Sequence, residues 1–188
     1  MTFLLASILL LAPTTMVPVP PDPAPPAGTA TIFLVRHAEK SGSGKNPELS
    51  TAGKARAEVL YQMLSQRKLD LVIVSDTKRA EETADHTARQ HGLTPLVVST
   101  GAGVDTHVKN IVDAVRDVRA GGAVLIVGHS NTIPLIVEAL GGPSFPALCE
   151  NEYATYFMLE LSGDRMPPKL TRATYGAPDP PGAADCAR

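Results

Sequence analysis

The sequence predicts an α/β protein, a three-layer α/β/α sandwich around a mostly parallel central sheet. Short β-branched and aliphatic runs take turns with amphipathic helical stretches, and most of the runs are apolar throughout rather than alternating. Strands apolar on both faces need helices above and below them. Right-handed crossovers then distribute those helices over two layers.

The first run, Thr31 to Val35 (Thr-Ile-Phe-Leu-Val), reads as a buried strand. Ser50 to Gln66 reads as a helix that Ser50 or Thr51 can cap, with Ala57, Leu60, Tyr61 and Leu64 on one stripe. Leu69 to Val74 is a second strand, and Thr77 to His91 a helix stopped by Gly92. Pro95 to Val98 gives a third strand. Asp105 stands where it can cap the next helix, whose Val108, Ile111, Val112, Val115 and Val118 share one side and which Gly121-Gly122 ends. Ala123 to Val127 is a wholly apolar fourth strand, followed by a helix to Leu140. Tyr153 to Leu161 alternates, which suits an antiparallel or edge strand, and Lys169 to Thr174 adds a sixth.

The composition fits one domain of ordinary size. Of 188 residues, 44% are apolar and 19% charged, and 17 Lys and Arg against 19 Asp and Glu leave a net charge of −2. Such a balance offers no basic stripe for nucleic acid, and the apolar content is too high for a disordered chain. Two cysteines, Cys149 and Cys186, make neither a disulfide scaffold nor a four-ligand zinc knuckle.

The ends differ from the body. No charged side chain precedes Asp22, Phe3 to Ala12 is a compact apolar block, and seven prolines fall between Pro13 and Pro26. Residues 1–30 therefore read as a signal peptide followed by a Pro-rich spacer, although the basic n-region is missing. An uncleaved N-terminal tail is the alternative. On the first reading the protein is exported, to a periplasm or the extracellular space, and no stable membrane span remains after cleavage. Residues 31–175 form the domain, and 176–188 a Pro/Gly/Ala-rich tail. Export would allow Cys149 to pair with Cys186, against the alternative of two unrelated thiols.

In open α/β sheets ligands bind beyond the carboxyl ends of the strands. Arg36-His37-Ala38-Glu39-Lys40 follows the first strand, Ser75-Asp76-Thr77-Lys78-Arg79 the second, and Gly128-His129-Ser130-Asn131 the fourth. Two histidines and two arginines thus leave apolar strands on the same edge. Guanidinium forks suit phosphate oxygens, and an imidazole among cations stays neutral and nucleophilic. Such an imidazole can attack phosphorus and hold the phosphoryl group covalently, while the arginines and the second histidine steady the developing charge. Arg79 falls in the first turn of its helix, where a cation is misplaced unless an anion sits nearby. The helix opening after His129 offers further N–H donors, and Ser130 there is a candidate substrate contact as well as a capping residue.

These segments, together with Leu49-Ser-Thr-Ala-Gly53, Ala80-Glu-Glu-Thr83-Ala84 and Thr132, resemble the successive motifs of the histidine phosphatase (phosphoglycerate mutase-like) superfamily. They occur in the family's order over about 100 residues, and the short body resembles the small branch-1 members related to phosphohistidine phosphatases. The resemblance implies a phosphatase that hydrolyses a phosphomonoester or phosphoramidate through a phosphohistidine on His37. Arg36, Arg79 and His129 would line the phosphate pocket, with no metal or cofactor and a small phosphorylated substrate as partner. A noncatalytic phosphate-binding module using the same pocket is the alternative. A metal hydrolase built on His37, Glu39 and His129 is weaker, because no second ligand cluster accompanies them.

One departure stands out. Members of this branch often carry an acidic residue between the second arginine and second histidine, and here Asp105 is the only loop acid after the third strand. Asp105 is accordingly a candidate general acid, with helix capping an equal explanation. Glu39 is a further candidate, as a substrate-orienting group or a surface charge. Lys40 and Lys78 read as surface charges, and His86, His91 and His107 as ordinary residues on polar helix faces.

Overall fold

The computed structural model describes residues 28–118, 120–162 and 165–179. Residues 1–27, with the expected leader, and the tail beyond 179, with Cys186, lie outside the described residues. Among the described residues ten elements follow one another: β1 (Ala30–Arg36), α1 (Thr51–Leu64), β2 (Leu71–Ser75), α2 (Lys78–Gln90), β3 (Leu96–Val98), α3 (Val104–Arg116), β4 (Ala123–Gly128), α4 (Thr132–Ala139), β5 (Thr155–Ser162) and β6 (Arg165–Thr174). The strands form one sheet in the order β3-β2-β4-β1-β5-β6. The first four are mutually parallel, and β5 runs antiparallel to both β1 and β6.

The three predicted layers are present because alternate residues of each strand feed different helices. Ile32 and Leu34 of β1, with Val124 and Ile126 of β4, pack against Ile111, Val112 and Val115 of α3 and Ile133 and Ile136 of α4. Phe33 and Val35, with Leu125 and Val127, face Leu60 and Leu64 of α1 and Ala80 and Ala84 of α2. At α1 the predicted cap is Ser50, whose hydroxyl accepts from the Gly53 amide at 3.1 Å.

Three expectations are corrected. The sixth strand is longer than Lys169 to Thr174 and takes in Pro167 and Pro168, which an edge strand with one unpaired side tolerates. Asp105 does not cap α3: the N-cap is Gly103, at φ +90°, and no side chain bonds there. Neither Ser130 nor Asn131 caps α4 with its side chain. The hydroxyl of Thr132, the first residue of the helix, accepts instead from the His129 amide at 2.9 Å and so fixes the turn that leads into α4.

Candidate active site

Strand register brings the two histidines together. β1 and β4 are neighbours, Arg36 lies opposite Gly128, and the His37 amide donates to the Gly128 carbonyl at 2.9 Å. The residues that follow this last rung, His37 and His129, therefore leave the sheet side by side, with ring centroids 5.3 Å apart. β2 flanks β4 on the other side, so its terminal Ser75 reaches His129 Nε2 at 2.9 Å, and Arg79 from the first turn of α2 comes within 3.5 Å of His129 Nδ1. Arg36, His37, Arg79 and His129 line one hollow of about 320 Å³, together with Lys40, Thr77, Thr100, His107, Ser130 and Glu150.

His37 is held in one tautomer. Its Nδ1–H donates to the Ala38 carbonyl at 2.8 Å, which leaves the Nε2 lone pair free. The Ala38 amide in turn donates to Thr83 Oγ1 on α2, pinning the turn after β1. Burial, reinforced by the charges of His129, Arg36 and Arg79, lowers His37 from 6.5 to about 3. Burial followed by Arg79 lowers His129 to about 4. Both rings are thus neutral near neutral pH. Arg79 is also lowered, by burial first and by Arg36 second.

Arg36 is 2% exposed and braced from the segment before β5. One terminal nitrogen donates to the carbonyls of Cys149 and Glu152, the other to the Glu150 carboxylate at 3.2 Å, and its Cζ lies 4.2 Å from the Tyr153 ring centroid. Its Nε is buried without a partner, a donor still to be used. The exposed Glu150 also accepts from Lys40 at 3.0 Å, and these cations hold its carboxyl below the usual range. Lys40 is therefore a rim residue of the hollow as well as a surface charge. Cys149 is 3% exposed and takes part in a disulfide; the other cysteine of the sequence lies outside the described residues.

Two candidate residues are placed elsewhere. Glu39 turns away from the hollow and receives Arg56 Nε at 3.0 Å and its terminal nitrogen at 2.7 Å. Asp105 is exposed and lines the groove between α3 and α4 with Val108, Leu135 and Glu138. His107 reverses the sequence expectation: it is buried, it lines the hollow, and it is not an ordinary polar-face residue. Glu150 lies in an irregular segment with no periodic signal, and Tyr153, read from the sequence as the head of the fifth strand, belongs to that segment because β5 starts only at Thr155. Among the described residues no group of three or more His, Cys, Asp or Glu is placed to hold a metal ion, and no helix is long and apolar enough to cross a membrane.

Neutral imidazoles and arginines gather at the carboxyl edge of this sheet, in an α/β domain of phosphoglycerate mutase-like fold. The resemblance carried by the motifs holds: the family model of the histidine phosphatase superfamily (branch 1) matches residues 32–101. The fold is similar to the protein histidine phosphatase SixA solved with tungstate, at TM-score 0.59 and 17% identity over 77% of this chain and 96% of that one. It is also similar to the mycobacterial glucosyl-3-phosphoglycerate phosphatase Rv2419c, at TM-score 0.59 and 16% identity over 80% of this chain and 100% of that one. No curated protein matches the sequence.

Proposed function

We propose that the protein is a metal-independent phosphatase that hydrolyses a small phosphomonoester or phosphoramidate through a phosphohistidine on His37. The family match and the phosphatases of like fold support phosphatase chemistry in general. The observation that carries the finer reading is the His37 ring, fixed by Ala38 so that a neutral Nε2 is free beside Arg36, Arg79 and His129.

The phosphoryl group sits among Arg36 Nε, Arg79 and His129; the amides of Thr132 and Ile133 that open α4 are spent on the His129 carbonyl, and the next residue is Pro134. Nε2 of His37 attacks phosphorus in line as the P–O or P–N bond to the leaving group breaks. Negative charge arriving beside Arg79 reverses the balance that keeps His129 neutral, and its imidazolium then donates from Nδ1 to a phosphoryl oxygen. Water attacks the phosphohistidine from the side the leaving group vacated, freeing phosphate and restoring His37. Export, proposed from the apolar block at Phe3–Ala12 and the prolines after it, would set this chemistry outside the cytosol.

Brief exposure to radiolabelled phosphoramidate, followed by denaturation, should trap a label stable in alkali and lost in acid. His37→Ala should fold normally, lose the label and lose turnover by about 10⁴-fold or more. Chelators should leave the parent rate unchanged. Full turnover in His37→Ala would falsify the assignment. Tight phosphate binding by a parent that neither labels nor turns over would favour the noncatalytic module.

A further inference from the structure

Asp105, the candidate acid of the sequence, lies outside the hollow, where His107 stands instead. His107 lies in the first turns of α3 and is 1% exposed. Its Nδ1–H donates to the Ser99 carbonyl at 3.1 Å, which fixes the tautomer and leaves Nε2 as the second functional atom of the ring. That Nε2 is buried and has no hydrogen-bond partner, although the ring lines the hollow with His129, Arg79 and Thr100. An unpartnered buried ring nitrogen costs roughly 1–3 kcal/mol whether or not it carries the proton, so it calls for a reason. The ring is also anchored firmly. Ser99 and Thr100 donate their hydroxyls to the Asp76 carboxylate at 2.8 Å each, tying the loop before α3 to the end of β2.

We propose that His107 Nε2 is the proton shuttle of the reaction, giving a proton to the leaving-group oxygen and recovering one from the attacking water. This rests on the phosphohistidine mechanism above and supplies its missing acid. In the first half, Nε2–H of the imidazolium passes its proton to the departing oxygen while the P–O bond breaks and the bond from His37 Nε2 to phosphorus forms. Alcohol leaves, and His107 is neutral. In the second half, that neutral Nε2 takes a proton from water as the water oxygen bonds to phosphorus and the P–N bond breaks. Phosphate leaves, His37 is free, and His107 is an imidazolium again. No other reactant is required.

The test is the dependence of rate on leaving group. His107→Asn keeps an amide donor for the Ser99 carbonyl and removes Nε2, whereas His107→Gln sets a non-titrating amide near the Nε2 position. For both, the single-turnover rate at which alkyl phosphates phosphorylate His37 should fall about 100-fold or more, the same step with 4-nitrophenyl phosphate should stay within a few-fold of the parent, and breakdown of the phosphohistidine should slow by one factor whichever substrate formed it. Thermal unfolding of each variant checks that the fold survives. The parent should show a solvent deuterium isotope effect on kcat with the alkyl ester, a readout that needs no variant. Equal losses in the phosphorylation step across the series, no loss in either step, or an isotope effect near unity would overturn the shuttle while the parent remains a phosphatase. A parent that hydrolyses no phosphate compound would overturn the mechanism and the shuttle together.

Discussion

Arg36 and Arg56 are built alike and end up doing different things. Both are buried, at 2% and 3% exposure, and both lie against a tyrosine ring, Tyr153 and Tyr175. Each clamps a later stretch of chain through two backbone carbonyls, Cys149 and Glu152 for Arg36, Tyr175 and Ala177 for Arg56. Each also has a carboxylate. The difference lies in what is left over. Every nitrogen of Arg56 has a partner, since Glu39, itself only 23% exposed, takes both Nε and a terminal nitrogen. Arg36 keeps Nε unpartnered, and its carboxylate, Glu150, is 72% exposed and shared with Lys40. A phosphate can displace such a carboxylate and take the free donor. A buried arginine is thus a strut when its fork is filled and a ligand site when part of it is kept open.

The contrast predicts opposite phenotypes. Arg36→Ala removes charge from the proposed phosphoryl pocket and should cost about 3 kcal/mol or more in transition-state stabilisation, read as a fall of 10²-fold or more in kcat/KM. Arg56→Met should leave kcat/KM within a few-fold. It strands the Glu39 carboxylate and two carbonyls, so it should lower stability by about 2–3 kcal/mol in urea unfolding. If Arg56→Met proves as inactive as Arg36→Ala while still folded, the distinction between strut and ligand site fails.

This contrast also marks how far the sequence could be read. The edge of the sheet was legible because apolar runs stop abruptly at Arg36-His37 and at Gly128-His129, and a parallel sheet sends both ends the same way. The role of Glu39 was not, because its partner Arg56 lies 17 residues on and no local pattern links them. Glu150 and Tyr153 come from an irregular segment that only the closed fold lays against Arg36. His107 carried a signal that was available. It adjoins Val108 and precedes Ile111 by one turn, so the stripe that buries α3 carries it inward as well. The expected cap at Asp105 was wrong because Gly103, at positive φ, starts the helix earlier.

Acid separates the two regions by where stability is lost. His37 and His129 hold fewer protons when folded than unfolded, since burial lowers both from 6.5, to about 3 and about 4. A group depressed in this way favours the folded state fully above its unfolded pKa, and its contribution is lost as pH falls below 6.5. The strut behaves the same way lower down. Burial alone would raise Glu39, but the hydrogen bonds from Arg56 outweigh it and the carboxyl lies below its ordinary 4.5, so the contribution of the pair is lost only as pH falls through that value. Urea unfolding in low-phosphate buffer should therefore show stability falling between pH 6.5 and 5 by about 1–2 kcal/mol for each site histidine. His37→Asn should flatten that window by its share, and Glu39→Gln should change the slope only below about pH 4.5. If His37→Asn leaves the slope between pH 6.5 and 5 unchanged, the ring is not held neutral by its surroundings, and the nucleophile assigned to it loses its electrostatic support.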